Sequence, residues 1–356
     1  MTRLKQLQQL LATKRLPMVI TQATNLKYLV GFLGLPGDGC LVVGGDKAVL
    51  ITDARYQQAL QEASPLEFSV IITRKYFQVA GRLLERWGDS RVGFEASLAY
   101  GSYQKLAASF SGDLVAVSGI IEKMRQTKEP EEIKRLARAG RLASAGFLAL
   151  VDWVRVGQRE KEVSDRLANW MQTHGAQGPS FSPLVVSGKR SALPHGQPSQ
   201  KKLAAGEVVT VDFGFYVDGY TADLTRTFAL GDPGRRLKKA YQVVLGAQNK
   251  MRAALYPGNS GFAIDAAGRN YIKGQGFGKY FNHGAGHGIG LSIHEGPNFS
   301  PQSQYKTELL PTHAVVTAEP GIYLPGLGGI RIEDDFLINL KGAQFLTTAP
   351  RKLLVL

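Results

Sequence analysis

The hydrophobic and polar positions between residues 208 and 230 form a strand pattern on either side of a turn. This stretch reads V-V-T-V-D-F-G-F-Y-V-D-G-Y-T-A-D-L-T-R-T-F-A-L, with β-branched and aromatic residues on both sides of an Asp-Gly pair. An Asp-Gly pair between two such runs is a strong hairpin signal, because both central positions of a type I′ turn need positive φ. The pattern predicts a β-hairpin with its turn at Asp218 and Gly219.

This hairpin would set the register of two aspartates. With that turn, Asp212 pairs with Thr225 and Gly214 pairs with Asp223. Side chains alternate faces with period two, so Asp212 and Asp223 lie on one face as a diagonal pair, roughly 7–8 Å apart or slightly less. Two such carboxylates repel each other unless a cation lies between them. The hairpin alone leaves open whether both aspartates are simply solvated.

The pattern before residue 117 alternates short β-rich runs with helical stretches, which is typical of a small α/β domain. Leu4, Leu7 and Leu11 have helical spacing among polar residues and predict an amphipathic first helix. Strands are predicted at 17–20, 39–43, 47–52 and 69–73, and helices at 56–63 and 76–87. The glycines between 31 and 39 lie in a turn between strands, which does not favour dinucleotide binding.

A domain boundary is predicted near residue 122, which gives domains 1–122 and 123–356. Residues 117–128 are predicted to form a strand that leads into a polar connector. Pro130, with acidic neighbours, begins a long helix, because Pro suits the first turn and acids suit the positive end of the helix dipole. Gly140 in this helix would allow a neighbouring element to pack closely.

The remaining elements are predicted from the same periodicities. They are a helix at 160–174, a strand at 181–186, a loop ending in Pro194-His195-Gly196, helices at 235–255 and 261–274, and two strands within 315–338 around a turn at 324–329.

Composition narrows the class of protein. A length of 356 residues suggests about two domains. The single cysteine, Cys40, excludes an intrachain disulfide and a multi-thiolate metal site, and it fits a cytoplasmic protein. The net charge is +14, but Lys and Arg are scattered along the chain, so we expect neither nucleic-acid nor membrane binding. No apolar run approaches the ~18–20 residues of a membrane span.

Candidate chemistry is concentrated in the second half. Three of the six histidines, His283, His287 and His294, lie in one glycine-rich segment, where small neighbours let the backbone approach a ligand. Glu319 ends an apolar strand and therefore needs a partner. Glu333 follows Arg331 by two residues, and an exposed salt bridge between these two is the alternative interpretation.

Two aspartates, two glutamates and one histidine on or beside strands indicate a metal site. Hard oxygen donors favour Mn, Mg or Fe(II), with Co or Zn as alternatives. Four carboxylates offset the charge of two divalent ions, and bridging carboxylates can hold such ions roughly 3.5–4 Å apart.

The order and spacing of these motifs resemble the pita-bread metallopeptidases, which include methionine aminopeptidase, aminopeptidase P, prolidase and creatinase. The motifs are D-F-G at 212–214, D-L-T-R-T at 223–227, H-G-A-G-H-G at 283–288, H-E at 294–295, T-A-E-P-G at 317–321 and G-I-R-I-E at 329–333. N-L-K-Y-L-V-G-F at 25–32 and L-I-T-D-A-R-Y at 50–56 resemble the creatinase-like N-terminal domain. The resemblance implies a small creatinase-like α/β domain followed by a pita-bread catalytic domain, with a curved antiparallel sheet and flanking helices.

The resemblance also implies a role for each candidate residue. The implied metal ligands, of which Asp223 and Glu333 bridge both ions, are Asp212, Asp223, His287, Glu319 and Glu333. His294 would stabilise the tetrahedral intermediate, and Glu319 would also carry the proton of the metal-bound hydroxide. His195 would line the substrate pocket, and His283 and Arg331 would lie in the pocket or support the ligands.

The implied activity is hydrolysis of the N-terminal Xaa-Pro bond by a hydroxide that two metal ions activate, as in an Xaa-Pro aminopeptidase. The ions would be Mn, with Co or Zn as alternatives, and the protein would be a cytoplasmic homodimer. A strict Xaa-Pro dipeptidase and a non-catalytic pita-bread binding protein are the alternatives. Creatinase lacks the metal set and methionine aminopeptidases lack the first domain, so neither activity is expected.

Overall fold

The structure, a computed structural model, describes residues 1–63 and 65–356. It contains two compact units, Met1–Arg125 and Gln126–Leu356. The domain boundary that we predict after residue 122 remains a proposal. In the described part of the chain, no helix combines the length and the apolar character needed to cross a membrane.

The first unit contains six α-helices and six strands among its described residues. The helices are α1 (Arg3–Lys14), α2 (Ala23–Val30), α3 (Gln57–Glu62), α4 (Tyr76–Trp87), α5 (Tyr100–Ala107) and α6 (Ile120–Gln126), and α6 ends one residue into the second unit. The strands are β1 (Met18–Ile20), β2 (Gly39–Val43), β3 (Ala48–Thr52), β4 (Ser69–Ile72), β5 (Arg91–Glu95) and β6 (Asp113–Val117).

These strands form one mixed sheet in the order β4-β3-β2-β1-β5-β6. The pairs β1/β2 and β2/β3 are antiparallel, and the pairs β3/β4, β1/β5 and β5/β6 are parallel. Parallel neighbours need a crossover, which α3 and α5 provide between consecutive strands. The amphipathic first helix is confirmed, since Leu4, Leu7 and Leu11 are all buried.

The strand predicted within residues 117–128 is wrong. Strand β6 ends at Val117, and α6 occupies Ile120–Gln126. Two β-branched isoleucines suggested a strand, but Ile121 and Arg125 are the buried pair. Their i, i+4 spacing puts them on one helix face, and burial on that face overrides local β-propensity.

The second unit contains four long helices and thirteen strands among its described residues. The helices are α7 (Pro130–Trp153), α8 (Glu160–Thr173), α9 (Arg235–Ala254) and α10 (Gly261–Gly274). The strands are β7 (Gly178–Pro179), β8 (Leu184–Ser187), β9 (Glu207–Phe213), β10 (Phe215–Val217), β11 (Tyr220–Thr221), β12 (Leu224–Leu230), β13 (Gly286–Gly288), β14 (Glu295–Phe299), β15 (Val315–Ala318), β16 (Gly321–Leu324), β17 (Gly328–Arg331), β18 (Asp334–Asn339) and β19 (Gly342–Phe345).

Helix pairs cover two antiparallel sheets in this unit. Helices α7 and α8 pack on the β12-β9-β8 sheet around Phe147, Phe213 and Phe228, which are fully buried. Helices α9 and α10 pack with the β14-β13-β15-β18-β19 sheet around Val244 and Phe336. A sheet buries one face against helices and leaves the other for a site, so this arrangement leaves strand faces free to carry polar side chains.

The predicted hairpin is confirmed in turn and register. Asp218 has φ of 51° and Gly219 has φ of 76°, as a type I′ turn requires. Thr225 pairs with Asp212 across β9 and β12. The two aspartates therefore share a face of the same antiparallel ladder.

The two strands predicted within 315–338 prove to be four, β15 to β18. The inner pair, β16 and β17, forms the hairpin around the predicted turn. The strand structure is interrupted at Glu319-Pro320 and at Ile332-Glu333, between strands that belong to different sheets. Pro320 has no N–H to donate within a strand ladder. Each of the two interruptions contains a glutamate of the candidate site.

Gly140 provides a test of close packing in the second unit. A Cβ at this position would lie 2.6 Å from the carbonyl oxygen of Leu346, and that backbone has little freedom to move. We expect Gly140→Ala to lower the free energy of unfolding by about 1–3 kcal/mol, measured by urea denaturation. The control is Gly274→Ala at the end of α10, where a Cβ meets nothing within 4 Å. If the two variants were equally stable, the packing argument would fail.

Candidate metal centre

The hairpin positions the first two acidic residues. Asp212 lies near the end of β9, and Asp223 precedes β12 on the same face. Asp223 is buried, and both carboxylates line a cavity of about 560 Å³. The backbone N–H of Asp223 donates to Oδ2 of Asp335 at 3.1 Å, which holds this end of the strand in place.

His287 lies in β13, with its ring oriented by the backbone of the next residue. Its Nδ1 is 3.0 Å from the carbonyl oxygen of Gly288 and can donate to it, which leaves Nε2 as a ligand atom. Nε2 lies 3.8 Å from Oδ2 of Asp223 and 3.8 Å from Oε1 of Glu319. Atoms that bind one ion at about 2.1 Å are roughly 3–4 Å apart, so these distances suit a shared ion.

The two glutamates lie where the strand structure is interrupted, Glu319 between β15 and β16 and Glu333 between β17 and β18. The N–H of Glu319 donates to the carbonyl oxygen of Ala285 at 2.9 Å, which brings Glu319 beside the histidine segment. The N–H of Glu333 donates to the carbonyl oxygen of Thr225 at 3.1 Å. The Thr225 hydroxyl also donates to Oε2 of Glu333 at 2.6 Å, so one threonine orients the whole residue.

A tight group forms where these elements meet. Asp223, His287 and Glu333 each present one ligand atom, and the three atoms lie within 4.8 Å of one another. In the described part of the chain, several carboxylates each have one buried oxygen that accepts no hydrogen bond. These atoms are Oδ1 of Asp212, Oδ1 of Asp223, Oε1 of Glu333 and Oδ1 of Asp335.

The electrostatics of the group favour a cation. Burial raises the pKa of Asp223 and Glu319 well above their usual range, and neighbouring carboxylates raise it further. Burial and Asp212 raise the pKa of Glu333 to about 8. Burial lowers the pKa of His287 to about 4, which keeps the imidazole neutral and able to ligate. Ionised carboxylates this close are stable only with a compensating charge, so the residues fit divalent metal ions.

The other predicted residues line the same cavity. These are His195, His283, His294 and Arg331. The rings of His287 and His294 meet edge to face with centroids 4.4 Å apart, and the His294 side chain is more exposed. His195 follows the loop after β8 and is exposed. The structure thus brings all nine predicted site residues to one cavity, while their individual roles remain predictions.

Arg331 does not form the exposed salt bridge with Glu333 that was the alternative interpretation. Both residues are buried. Arg331 instead pairs with Asp212, with Nη2 2.6 Å from Oδ2. Its Nη1 donates to the Tyr323 hydroxyl at 2.9 Å, and that hydroxyl lies 2.8 Å from Nε2 of His283. A chain of contacts thus runs from His283 to Asp212.

Several residues that complete the site are absent from the sequence-based prediction. Thr225 orients Glu333, the Thr317 hydroxyl accepts from the N–H of His287 at 3.2 Å, and Tyr323 links His283 to Arg331. The buried Asp335 accepts from the N–H of Asp223. Thr225 could have been found from the sequence as the register partner of Asp212. Asp335 could have been found as one of the consecutive acids after Glu333.

Comparison with known protein families agrees with this geometry. The model of metallopeptidase family M24 matches residues 134–339, which include the nine predicted site residues. The creatinase/prolidase N-terminal domain matches residues 3–127.

The chain belongs to metallopeptidase family M24.

Relatives of this M24 chain match along nearly its whole length. An uncharacterized peptidase of Bacillus subtilis, YqhT, is 41% identical over 342 residues, which is 95% of each chain. The solved structure of an Xaa-Pro dipeptidase from Bacillus anthracis is 36% identical, with a TM-score of 0.93 over 99% of each chain. That of an X-Pro aminopeptidase from Thermotoga maritima is 32% identical, with a TM-score of 0.89 over 100% of each chain.

Family membership confirms the predicted fold class and the enzyme class. The first unit is a creatinase-like domain, and the second is a pita-bread domain of family M24. The protein is a hydrolase of the metallopeptidase class, so the alternative of a non-catalytic binding protein is not supported. The family implies divalent metal ions, which agrees with the carboxylate-rich group around Asp223.

Proposed function

We propose that this M24 metallopeptidase removes the N-terminal residue from peptides that have proline in the second position. The observation that carries the proposal is the convergence of four carboxylates and one imidazole in the wall of a single cavity. Relatives of similar length that are described as acting on Xaa-Pro substrates support the choice of substrate.

We propose Mn as the metal, with Co or Zn as alternatives. A ligand set of carboxylate oxygens and one imidazole suits Mn, whereas thiolate-rich ligand sets select Zn. The ions would be held by Asp212, Asp223, His287, Glu319 and Glu333, with Asp223 and Glu333 between them. When bound, two such ions supply a nucleophile at neutral pH and stabilise the negative charge of the transition state.

The side chains of the site would bind the substrate, stabilise the charge that develops and transfer a proton. Negative carboxylates near the reacting bond would attract the free α-amino group of the substrate. The ring nitrogens of His294 and His195 would donate to the oxygen of the scissile carbonyl as negative charge develops on it. Glu319 would accept the proton of the attacking water and deliver it to the leaving proline nitrogen.

A strict Xaa-Pro dipeptidase is the alternative function. The observation that favours it is the Bacillus anthracis relative, which is described as an Xaa-Pro dipeptidase and matches 99% of this chain. The two functions share the bond that is cleaved and differ in whether the peptide continues beyond proline.

Proline specificity is testable with matched peptides. The bond before proline is a tertiary amide without an N–H, and the ring restricts φ, so a dedicated pocket should reject other residues. We expect Ala-Pro-Ala to be cleaved only at its first bond, and Ala-Ala-Ala to have a kcat/KM lower by on the order of 10²-fold or more. Liquid chromatography of the products of the Mn-loaded enzyme measures both. Equal rates on the two peptides would refute the specificity.

Isomer selectivity gives a second readout from the same substrate. About 10–30% of an unstructured Xaa-Pro bond is cis and isomerises over tens of seconds or longer. With excess enzyme, we expect a fast phase for the trans form and a slow phase that added prolyl isomerase accelerates. A single fast phase that consumes all of the peptide would contradict trans selectivity.

We further propose a cytoplasmic homodimer, which rests on the family resemblance and on the single, buried cysteine. Light scattering of the purified protein across a concentration series measures its mass directly. A mass that matches one chain throughout the series would overturn the dimer.

A further inference from the structure

The two candidate substrates differ in charge at one place. In the dipeptide Xaa-Pro, proline carries the terminal carboxylate, which lies within roughly 4 Å of the scissile bond. In a longer peptide, a neutral amide occupies the same place. A dipeptidase therefore has to accommodate a carboxylate inside the cavity beside its own acidic residues, whereas an aminopeptidase does not.

The cavity offers little positive charge for such a carboxylate. Among the described residues of the catalytic unit that line it, Arg331 is the one Lys or Arg side chain. Its own side chain is 6% exposed and is paired with Asp212. Carboxylates in proteins are most often recognised by a bidentate guanidinium, but Nη2 of Arg331 already donates to Oδ2 of Asp212 at 2.6 Å.

The remaining donors of Arg331 are also used within the protein. Nε donates to the Thr225 hydroxyl at 3.1 Å, and Nη1 donates to the carbonyl oxygen of Pro194 at 3.2 Å and to Tyr323. Four of the five guanidinium N–H donors thus have partners inside the catalytic unit. Turning Arg331 toward a substrate carboxylate would break the contacts that hold Asp212.

Two cationic side chains that are close in sequence to lining residues interact with other parts of the protein. Arg190 donates to Glu160 at 3.0 Å and to the carbonyl oxygen of Gln197 at 2.6 Å. The Lys306 ammonium lies over the ring of Phe262, 5.0 Å from its centroid. Neither cation belongs to the described lining of the cavity.

The other polar groups of the lining suit an amide. Besides the histidines, they are neutral side chains that donate or accept single hydrogen bonds. They are Ser182, Gln197, Asn298, Ser300 and Tyr305. Neutral donors and acceptors of this kind match the N–H and C=O of a continuing peptide, while they leave a carboxylate without a counter-charge.

We infer that this site prefers substrates in which the chain continues beyond proline, so that it acts as an aminopeptidase and handles the free dipeptide poorly. The inference rests on the proposed Xaa-Pro activity and selects between its two forms. It separates this chain from the Bacillus anthracis relative described as a dipeptidase, despite 36% identity.

The test compares substrates that differ only in the terminal charge. Ala-Pro, Ala-Pro amide and Ala-Pro-Ala are assayed with the Mn-loaded full-length enzyme. We expect kcat/KM for the amide and the tripeptide to exceed that for Ala-Pro by on the order of 10- to 100-fold. If Ala-Pro is cleaved as fast as its amide or faster, this inference is wrong while the proposed hydrolysis of the Xaa-Pro bond stands. If none of the three is hydrolysed, the proposed function itself fails.

Asn298 offers a way to reverse the preference. It pairs with His287 across β13 and β14, so both side chains lie on the same face, and it lines the cavity. Asn298→Arg should therefore raise the ratio of kcat/KM for Ala-Pro to that for Ala-Pro amide by about tenfold. Asn298→Met, which has similar length and no charge, is the matched control and should not raise this ratio. An equal ratio in both variants would count against a missing cation as the cause.

Discussion

Asp223→Asn should reduce kcat by on the order of 10³-fold or more and release at least one metal ion. Asp223 is buried against His287 and Glu333, and its carboxylate is the proposed bridge between two ions. Asn keeps the shape of the side chain but loses the negative charge and one ligand oxygen. Metal content by mass spectrometry and steady-state kinetics measure the two effects.

The fold should survive this change, because the hairpin pattern does not depend on metal. Circular dichroism of the variant should match that of the wild type. Asp218→Asn is the matched control, since it lies in the turn of the same hairpin, is exposed, and becomes an equally good Asn-Gly turn. Its exposed ion pair with Arg138 contributes little. The mechanism would be refuted by full wild-type activity after exhaustive chelation with metal content verified as nil.

The metal-free protein gives an independent readout of the same residue. Burial raises the pKa of Asp223 in the folded state, so the folded chain retains protons that the unfolded chain releases. Stability of the metal-free wild type should therefore fall as pH rises above the unfolded value near 4. Asp223→Asn removes this penalty, and its thermal midpoint at pH 8 should exceed that of metal-free wild type. A lower midpoint would show that the carboxylate is compensated without metal.

Substitutions of His287 and His294 should separate metal binding from transition-state stabilisation. Their rings are in contact, yet only His287 presents Nε2 to Asp223 and Glu319 at 3.8 Å. His287→Ala should lower metal content. His294→Ala should keep both ions and lower kcat by about 10²–10³, with a smaller change in KM, because it acts on charge that develops in the transition state.

The two variants control for each other, since both remove an imidazole from the same segment. Metal content and kinetics are measured on matched preparations. If His294→Ala loses metal as readily as His287→Ala does, His294 is a ligand or supports one, and our assignment of its role is wrong.

Local chemistry alone determined the hairpin, while the resemblance of the sequence motifs to a known family implied the candidate ligands. Asp218-Gly219 permits the positive φ values of its turn, and the turn fixes the register that places Asp212 opposite Thr225. The acidic start of α7 and the spacing of Leu4, Leu7 and Leu11 are local in the same sense. These features depend on neighbours a few residues away, so they can be predicted from the sequence pattern.

Long-range contacts decided the rest of the site. Glu319 and Glu333 face the cavity because the strands break there, and the breaks are held by bonds to Ala285 and Thr225, far away in the chain. Arg331 pairs with Asp212, 119 residues away, instead of with Glu333 two residues on. Spacing along a strand shows which residues share a face, but it does not show which distant group that face meets. That choice depends on burial, because a buried charge takes whichever partner the packed sheets bring within reach.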